Sequence, residues 1–124
     1  MFEHTYAFSG FSVDDLAAAK HFYGDVLGLR VSEQHGMLTL QIEGGHNILV
    51  YQKPDHEPAT FTILNFPVDD LEAAVRELTE RGVEFERTEW SDELGINHSP
   101  ADQDGPDIAW FKDPAGNFLA VLAG

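Results

Sequence analysis

The stretch Phe11-Ser12-Val13-Asp14-Asp15-Leu16-Ala17-Ala18-Ala19 returns as Phe66-Pro67-Val68-Asp69-Asp70-Leu71-Glu72-Ala73-Ala74, at an offset of 66 − 11 = 55 and with seven of nine positions identical. An internal repeat of this kind decides the fold, because each copy must build the same supersecondary unit. The echo continues outward. Leu27-Gly28-Leu29-Arg30-Val31 is answered by Arg81-Gly82-Val83-Glu84-Phe85 at an offset of 54, and Asn47-Ile48-Leu49 by Asn117-Phe118-Leu119 at an offset of 70. The offset grows because the second half carries an insertion, about residues 90–106.

Each half reads as a strand, a helix and three strands. In the first half, 4–13 is extended, and Asp14 or Asp15 can accept from the free N–H groups of the helix that follows. Leu16, Ala19, Tyr23 and Leu27 recur at helical spacing, and Gly24 and Gly28 end the helix. Strands follow at 29–34, 37–42 and 47–52, the last two joined at Gly44-Gly45. The second half repeats the order: a strand at 60–66, an Asp69-capped helix through Glu80, then strands at 83–89, 108–112 and 118–122. Asp113-Pro114-Ala115-Gly116-Asn117 is the expected hairpin turn. The predicted organisation is one domain, 1–124, with repeat one at about 1–53, a linker at about 54–59 and repeat two at about 60–124.

The composition narrows the function classes. With 7 basic and 22 acidic residues among 124, the formal net charge is −15. Phosphate backbones and anionic membrane surfaces repel such a chain, which argues against nucleic-acid and membrane partners. No apolar run is long enough to span a bilayer, and Met1-Phe2-Glu3-His4 lacks the start of a signal peptide, so a cytoplasmic protein is expected. With no cysteine, thiolate metal sites, disulfides and cysteine nucleophiles are all absent. The acidity is uneven: residues 84–107 hold eight carboxylates against Arg87 alone.

These words, with His21-Phe22-Tyr23 and Trp110-Phe111-Lys112, make a chain that resembles the vicinal oxygen chelate superfamily of glyoxalases, extradiol dioxygenases and bleomycin-resistance proteins. The resemblance implies an α+β fold in which two βαβββ repeats form a curved eight-stranded mixed sheet around a groove. It also implies a homodimer. Metal-dependent members place four ligands in the groove, typically His, Glu or Gln. Carried over, those positions fall on Phe8, Val50, Ile63 and Ala120, and a slip of one residue makes no site either. Apolar side chains cannot bind a metal. The expectation is therefore a groove without cofactor or metal that binds a small organic ligand, a cationic or aromatic antibiotic among the candidates. The alternative is a lyase or dioxygenase with a displaced divalent-metal site drawing on His4, His98 and a carboxylate.

Alternation along the strands proposes the groove lining. Tyr6 and Phe8 share one face of the first strand, and Phe61, Ile63 and Asn65 one face of its repeat. Val50 and Gln52, with Phe118 and Ala120, come from the two final strands. Trp110 precedes the second hairpin, while Trp90 and His98 belong to the acidic insertion, expected at the groove mouth. An exposed indole in a negative field suits a cationic ligand. No Ser-His-Asp order, phosphate loop or pair of catalytic carboxylates is present, so no catalytic residue is assigned.

Overall fold

The computed structural model describes residues 1–124, which fall into two compact units, Met1–Glu57 and Pro58–Gly124. In the first, β1 (Gly10–Val13) leads into α1 (Leu16–Lys20), a π-helical segment (His21–Val26), and strands β2 (Arg30–Gln34), β3 (Met37–Gln41) and β4 (Ile48–Gln52). The sheet order is β1-β4-β3-β2, with β1 parallel to β4 and the other pairs antiparallel. In the second, β5 (Thr62–Val68), α2 (Leu71–Glu80), β6 (Ile108–Lys112) and β7 (Phe118–Ala123) follow in sequence, and the sheet order is β5-β7-β6.

The repeated Asp pair performs the same task in each unit, through its second member. Asp15 Oδ1 accepts from Ala18 N at 3.1 Å and Asp70 Oδ1 from Ala73 N at 3.0 Å, each satisfying a free N–H of the first turn. Asp70 thus takes the cap expected of Asp69. Helix α1 does not stop at Gly24. It widens into the π segment, where Leu27 N bonds to Phe22 O at 2.9 Å, and it ends before Gly28, whose φ of 77° suits glycine.

Both cores lie between helix and sheet. In the first unit Tyr23, Leu38, Leu40, Val13 and Val50 are fully buried, and the Tyr23 ring packs on Phe11 and Phe22. In the second, Val75 of α2 is buried with Ala109, Phe111, Leu119 and Val121. The turn after β6 is held by a buried carboxylate: Asp113 Oδ1 accepts from Ala115 N and Asn117 N, and Oδ2 from Asn117 Nδ2.

Seven strands form where eight were expected. Segment 83–89 contributes only an isolated bridge between Phe85 and Phe111 and one bond from Glu86 N to Trp110 O. It leaves the ladder because Arg87 turns to the carbonyls of Asp92 (3.1 Å) and Glu93 (2.8 Å). β1 is also shorter than expected. Tyr6 stacks on His46 with ring centroids 3.8 Å apart, and His46 Nδ1 bonds to Ala7 O, so residues 4–9 follow the β3–β4 hairpin instead of extending the strand.

Candidate functional site

Each sheet has one face under its helix and one face free of it, and the pairing register sorts the side chains between them. In the first unit Phe11 pairs with Val50, Leu38 with Val50, and Leu40 with both Ile48 and Val31. This is the helix side: Phe11 meets Tyr23, and Lys20 of α1 reaches Glu33 at 3.1 Å. Gln52 is on the same side, where its Oε1 accepts from Leu16 N at 3.0 Å and helps to cap α1. Val50 and Gln52, expected to line the open side, are thus structural parts of the helix packing. The open face instead carries Gly10, Ser12, Met37, Thr39, Leu49 and Tyr51. His56, from the segment after β4, meets Ser12 there, Nδ1 to Oγ at 2.6 Å.

The second unit keeps more of the expected lining together. Asn65 pairs with Ala120 and Ala120 with Trp110, while Phe118 pairs with Thr62 and Lys112. Leu119, Val121 and Phe111 are buried on the opposite, helix-covered side. Trp110 is half-buried on the open face, and its Nε1 donates to Thr62 Oγ1 at 3.2 Å. Lys112 Nζ stands 5.0 Å above the Phe118 ring and 3.4 Å from Glu86. Ala120 has no solvent exposure. Ile63 sits where the β5–β7 register shifts, so it belongs to a bulge and not to the alternating ladder.

Tyr6, Phe8 and Phe61 lie outside the strands and are exposed. Trp90 is 79% exposed, held by a turn in which its backbone N–H donates to Thr88 Oγ1. His98 does not reach a strand face. Its ring lies between two carboxylates of the insertion, Nε2 2.7 Å from Asp92 and Nδ1 2.9 Å from Asp107. Those bonds raise its pKa. Asp92 is lowered: burial works against its charge but is outweighed by His98 and by the backbone N–H groups of Ile96 and Leu94. Asp107 is lowered by the Ser99 N–H and then by His98.

Leu49, Tyr51 and Ser12 are the open-face residues that strand periodicity missed. The ladder contained the signal: Phe11 pairs with Val50 as Phe66 pairs with Val121, so β4 and β7 correspond at 121 − 50 = 71, not 70. Leu49, rather than Val50, is therefore the counterpart of Ala120.

The family match agrees with this architecture. The family model of the glyoxalase/bleomycin resistance protein/dioxygenase superfamily matches residues 4–121. The chain belongs to that superfamily. Among solved structures it is similar to a glyoxalase family protein from Enterococcus faecalis, at 21% identity and a TM-score of 0.72, covering 98% of this chain and 99% of that one. It is also similar to TnmS3, an antibiotic binding protein from Streptomyces sp. CB03234, at 24% identity and a TM-score of 0.68, covering 97% of each chain. A bleomycin-binding protein complexed with bleomycin gives 22% identity and a TM-score of 0.66, covering 96% of this chain and 98% of that one. At these identities the likeness is one of fold. No curated protein matches the sequence.

The residues do not fit the metal that some superfamily members use. No strand residue on the open faces is a carboxylate or an imidazole; His56 and Glu86 reach those faces singly from outside the strands, and no group of three or more His, Asp or Glu side chains is arranged to hold a metal ion. His4 stands exposed beside Glu3, and both ring nitrogens of His98 already face carboxylates. No helix is long and apolar enough to cross a membrane.

Proposed function

We propose that this chain binds a small organic molecule, cationic and aromatic in character, on the open face of a sheet and without a metal. The observation that carries the reading is the makeup of each face taken by itself: Leu49, Tyr51 and Met37 with Ser12 and Thr39 in the first unit, and Trp110 and Phe118 with Thr62, Asn65 and the Glu86-paired Lys112 in the second. Apolar and aromatic walls with a few hydrogen-bonding groups are the usual makeup of a small-molecule site. They offer stacking area and orientation but no Lewis acid. A net charge of −15 raises the local concentration of a cation. TnmS3, an antibiotic binding protein, and the bleomycin-binding protein share the fold, which supports an antibiotic-like small molecule as the ligand.

Tryptophan fluorescence during titration with metal-free bleomycin, at low and high salt, tests the reading, with metal analysis of the purified protein alongside. Saturable quenching that weakens as salt rises is the expected result. No binding of bleomycin or of neutral aromatic compounds would overturn it. Stoichiometric Ni, Zn, Mn or Fe would favour a metal-dependent enzyme instead. Homodimerisation and a cytoplasmic setting belong to the same proposal, and sedimentation of a monomer at micromolar concentration would remove the dimer from it.

A further inference from the structure

We propose that Asp92, His98 and Asp107 form a proton-operated clasp that closes the acidic insertion and fixes how Trp90 is presented. A carboxylate can only accept, and a neutral imidazole has a single N–H. Here the ring places Nε2 2.7 Å from Asp92 Oδ2 and Nδ1 2.9 Å from Asp107 Oδ2. A neutral ring would set a lone pair against one of these oxygens. Only the imidazolium donates to both.

The remaining carboxylate oxygens are committed as acceptors as well. Asp92 Oδ1 accepts from Leu94 N and Ile96 N, both at 2.9 Å, and Asp107 Oδ1 accepts from Ser99 N at 2.7 Å. Protonating either Asp would weaken these bonds, so the proton belongs on His98. The ring is thus a two-headed donor joining the 92–96 turn to the residue that leads into β6.

The charges that act on His98 are Asp92, from its own loop, and Asp107, from the start of β6. Arg87, on the segment entering the insertion, holds the same turn through the carbonyls of Asp92 and Glu93. A relay to Trp90 follows the hydrogen bonds. Asn97, next to His98, accepts from Thr88 Oγ1 at 2.8 Å and from Ser91 Oγ at 3.0 Å, and its backbone pairs with Ile108. Thr88 Oγ1 in turn accepts from Trp90 N at 3.1 Å.

The sign follows from the direction of the shifts. His98 binds its proton more tightly in the folded protein, so its contribution is complete below the ordinary histidine range and is lost as pH rises through its raised value. Asp92 and Asp107 are lowered, so theirs is lost only as pH falls through their depressed values. The clasp is therefore closed in mildly acidic solution and opens on the alkaline side.

Imidazole nitrogen NMR and amide exchange on the full, ligand-free chain test this directly. At about pH 6 both ring nitrogens of His98 should carry protons, and the Leu94, Ile96 and Ser99 amides should be protected. Protection should fall as the ring titrates. In His98→Gln, an exposed substitution checked for folding by circular dichroism, it should be low and independent of pH. A neutral His98 ring at about pH 6, or the same protection profile in both proteins, would overturn the clasp.

The consequence for Trp90, whose exposed indole is here added to the ligand contacts of the proposed function, rests on that reading and has its own readout. Bleomycin affinity should fall several-fold from about pH 6 to about pH 8.5 in the wild type and stay flatter in His98→Gln. Equal pH dependence in the two proteins would overturn the relay. Failure to bind at any pH would sink the proposed function and leave the clasp to the NMR result.

Discussion

The Trp110 indole N–H donates to Thr62 Oγ1 at 3.2 Å, and the two residues stand on β6 and β5, the strands flanking β7. The indole therefore spans the central strand of its sheet. It can do so because Ala120, its cross-strand neighbour on β7, has only a methyl group and is shut away from solvent. Thr62→Val keeps the shape and removes the acceptor. It should cost about 1 kcal/mol, read by chemical denaturation, because a half-buried donor loses its partner. Ala120→Leu should cost about 1–3 kcal/mol and shift the tryptophan emission, because the added bulk lifts the ring.

Strand β4 presents opposite roles on successive residues. Val50 is fully buried on the helix side, whereas Leu49 and Tyr51 lie on the open face, with Tyr51 38% exposed. Val50→Ala should lower stability by about 2 kcal/mol. Tyr51→Ala should leave stability within about 0.5 kcal/mol and weaken bleomycin binding. Thermal unfolding and fluorescence titration on the same two variants separate these outcomes, and a reversed pattern would mean that β4 is in the other register.

Asp113 is the organiser of the β6–β7 turn. It is 4% exposed and accepts from two backbone N–H groups and from Asn117 Nδ2, while Asn117 Oδ1 accepts from Ala59 N at 3.0 Å. Asp113→Ala should cost about 2–3 kcal/mol, since several buried donors lose their acceptor together. Asn117→Ala removes part of the same network. The double variant should therefore be less destabilised than the sum of the singles, by at least about 0.5 kcal/mol in a denaturation cycle.

Two matched caps permit an internal comparison. Asp15→Ala and Asp70→Ala should each cost about 1 kcal/mol, because each removes one side-chain acceptor from a first-turn N–H. Gln52 also accepts at the start of α1. Asp15→Ala should accordingly be the milder of the two by denaturation, and the difference should vanish in a Gln52→Ala background.

Much of this was legible in the chain itself. The Phe-x-Val-Asp-Asp-Leu repeat fixes the paired strand-helix starts, and the Asp113–Asn117 turn falls where Gly116 and its polar neighbours predict. Alternation tells which residues share a face but not which face the helix covers. On β4 both candidates were apolar: Ile48, Leu49, Val50 and Tyr51 offer no polar mark of the open side. The Asn-x-Leu words matched the two hairpins one residue out of step with the strands. Segment 83–89 reads as a strand by composition, but Arg87 draws it toward loop carbonyls that no local pattern announces. The Asp92–His98–Asp107 contact likewise joins residues whose meeting depends on the path of the whole insertion.

The wide turn at His21–Val26 accounts for the one-step change in offset along the repeat. From the capping Asp15 to Gly28 the chain advances 28 − 15 = 13 positions, and from Asp70 to Gly82 only 82 − 70 = 12. A π-turn closes on the fifth residue back instead of the fourth, so it takes up one residue without moving the cap or the left-handed glycine. The two halves thus hold one helix spelled with and without a single extra letter. Strand β2 is insulated from that insertion, and a sheet register that a one-residue slip would otherwise have turned inside out is preserved.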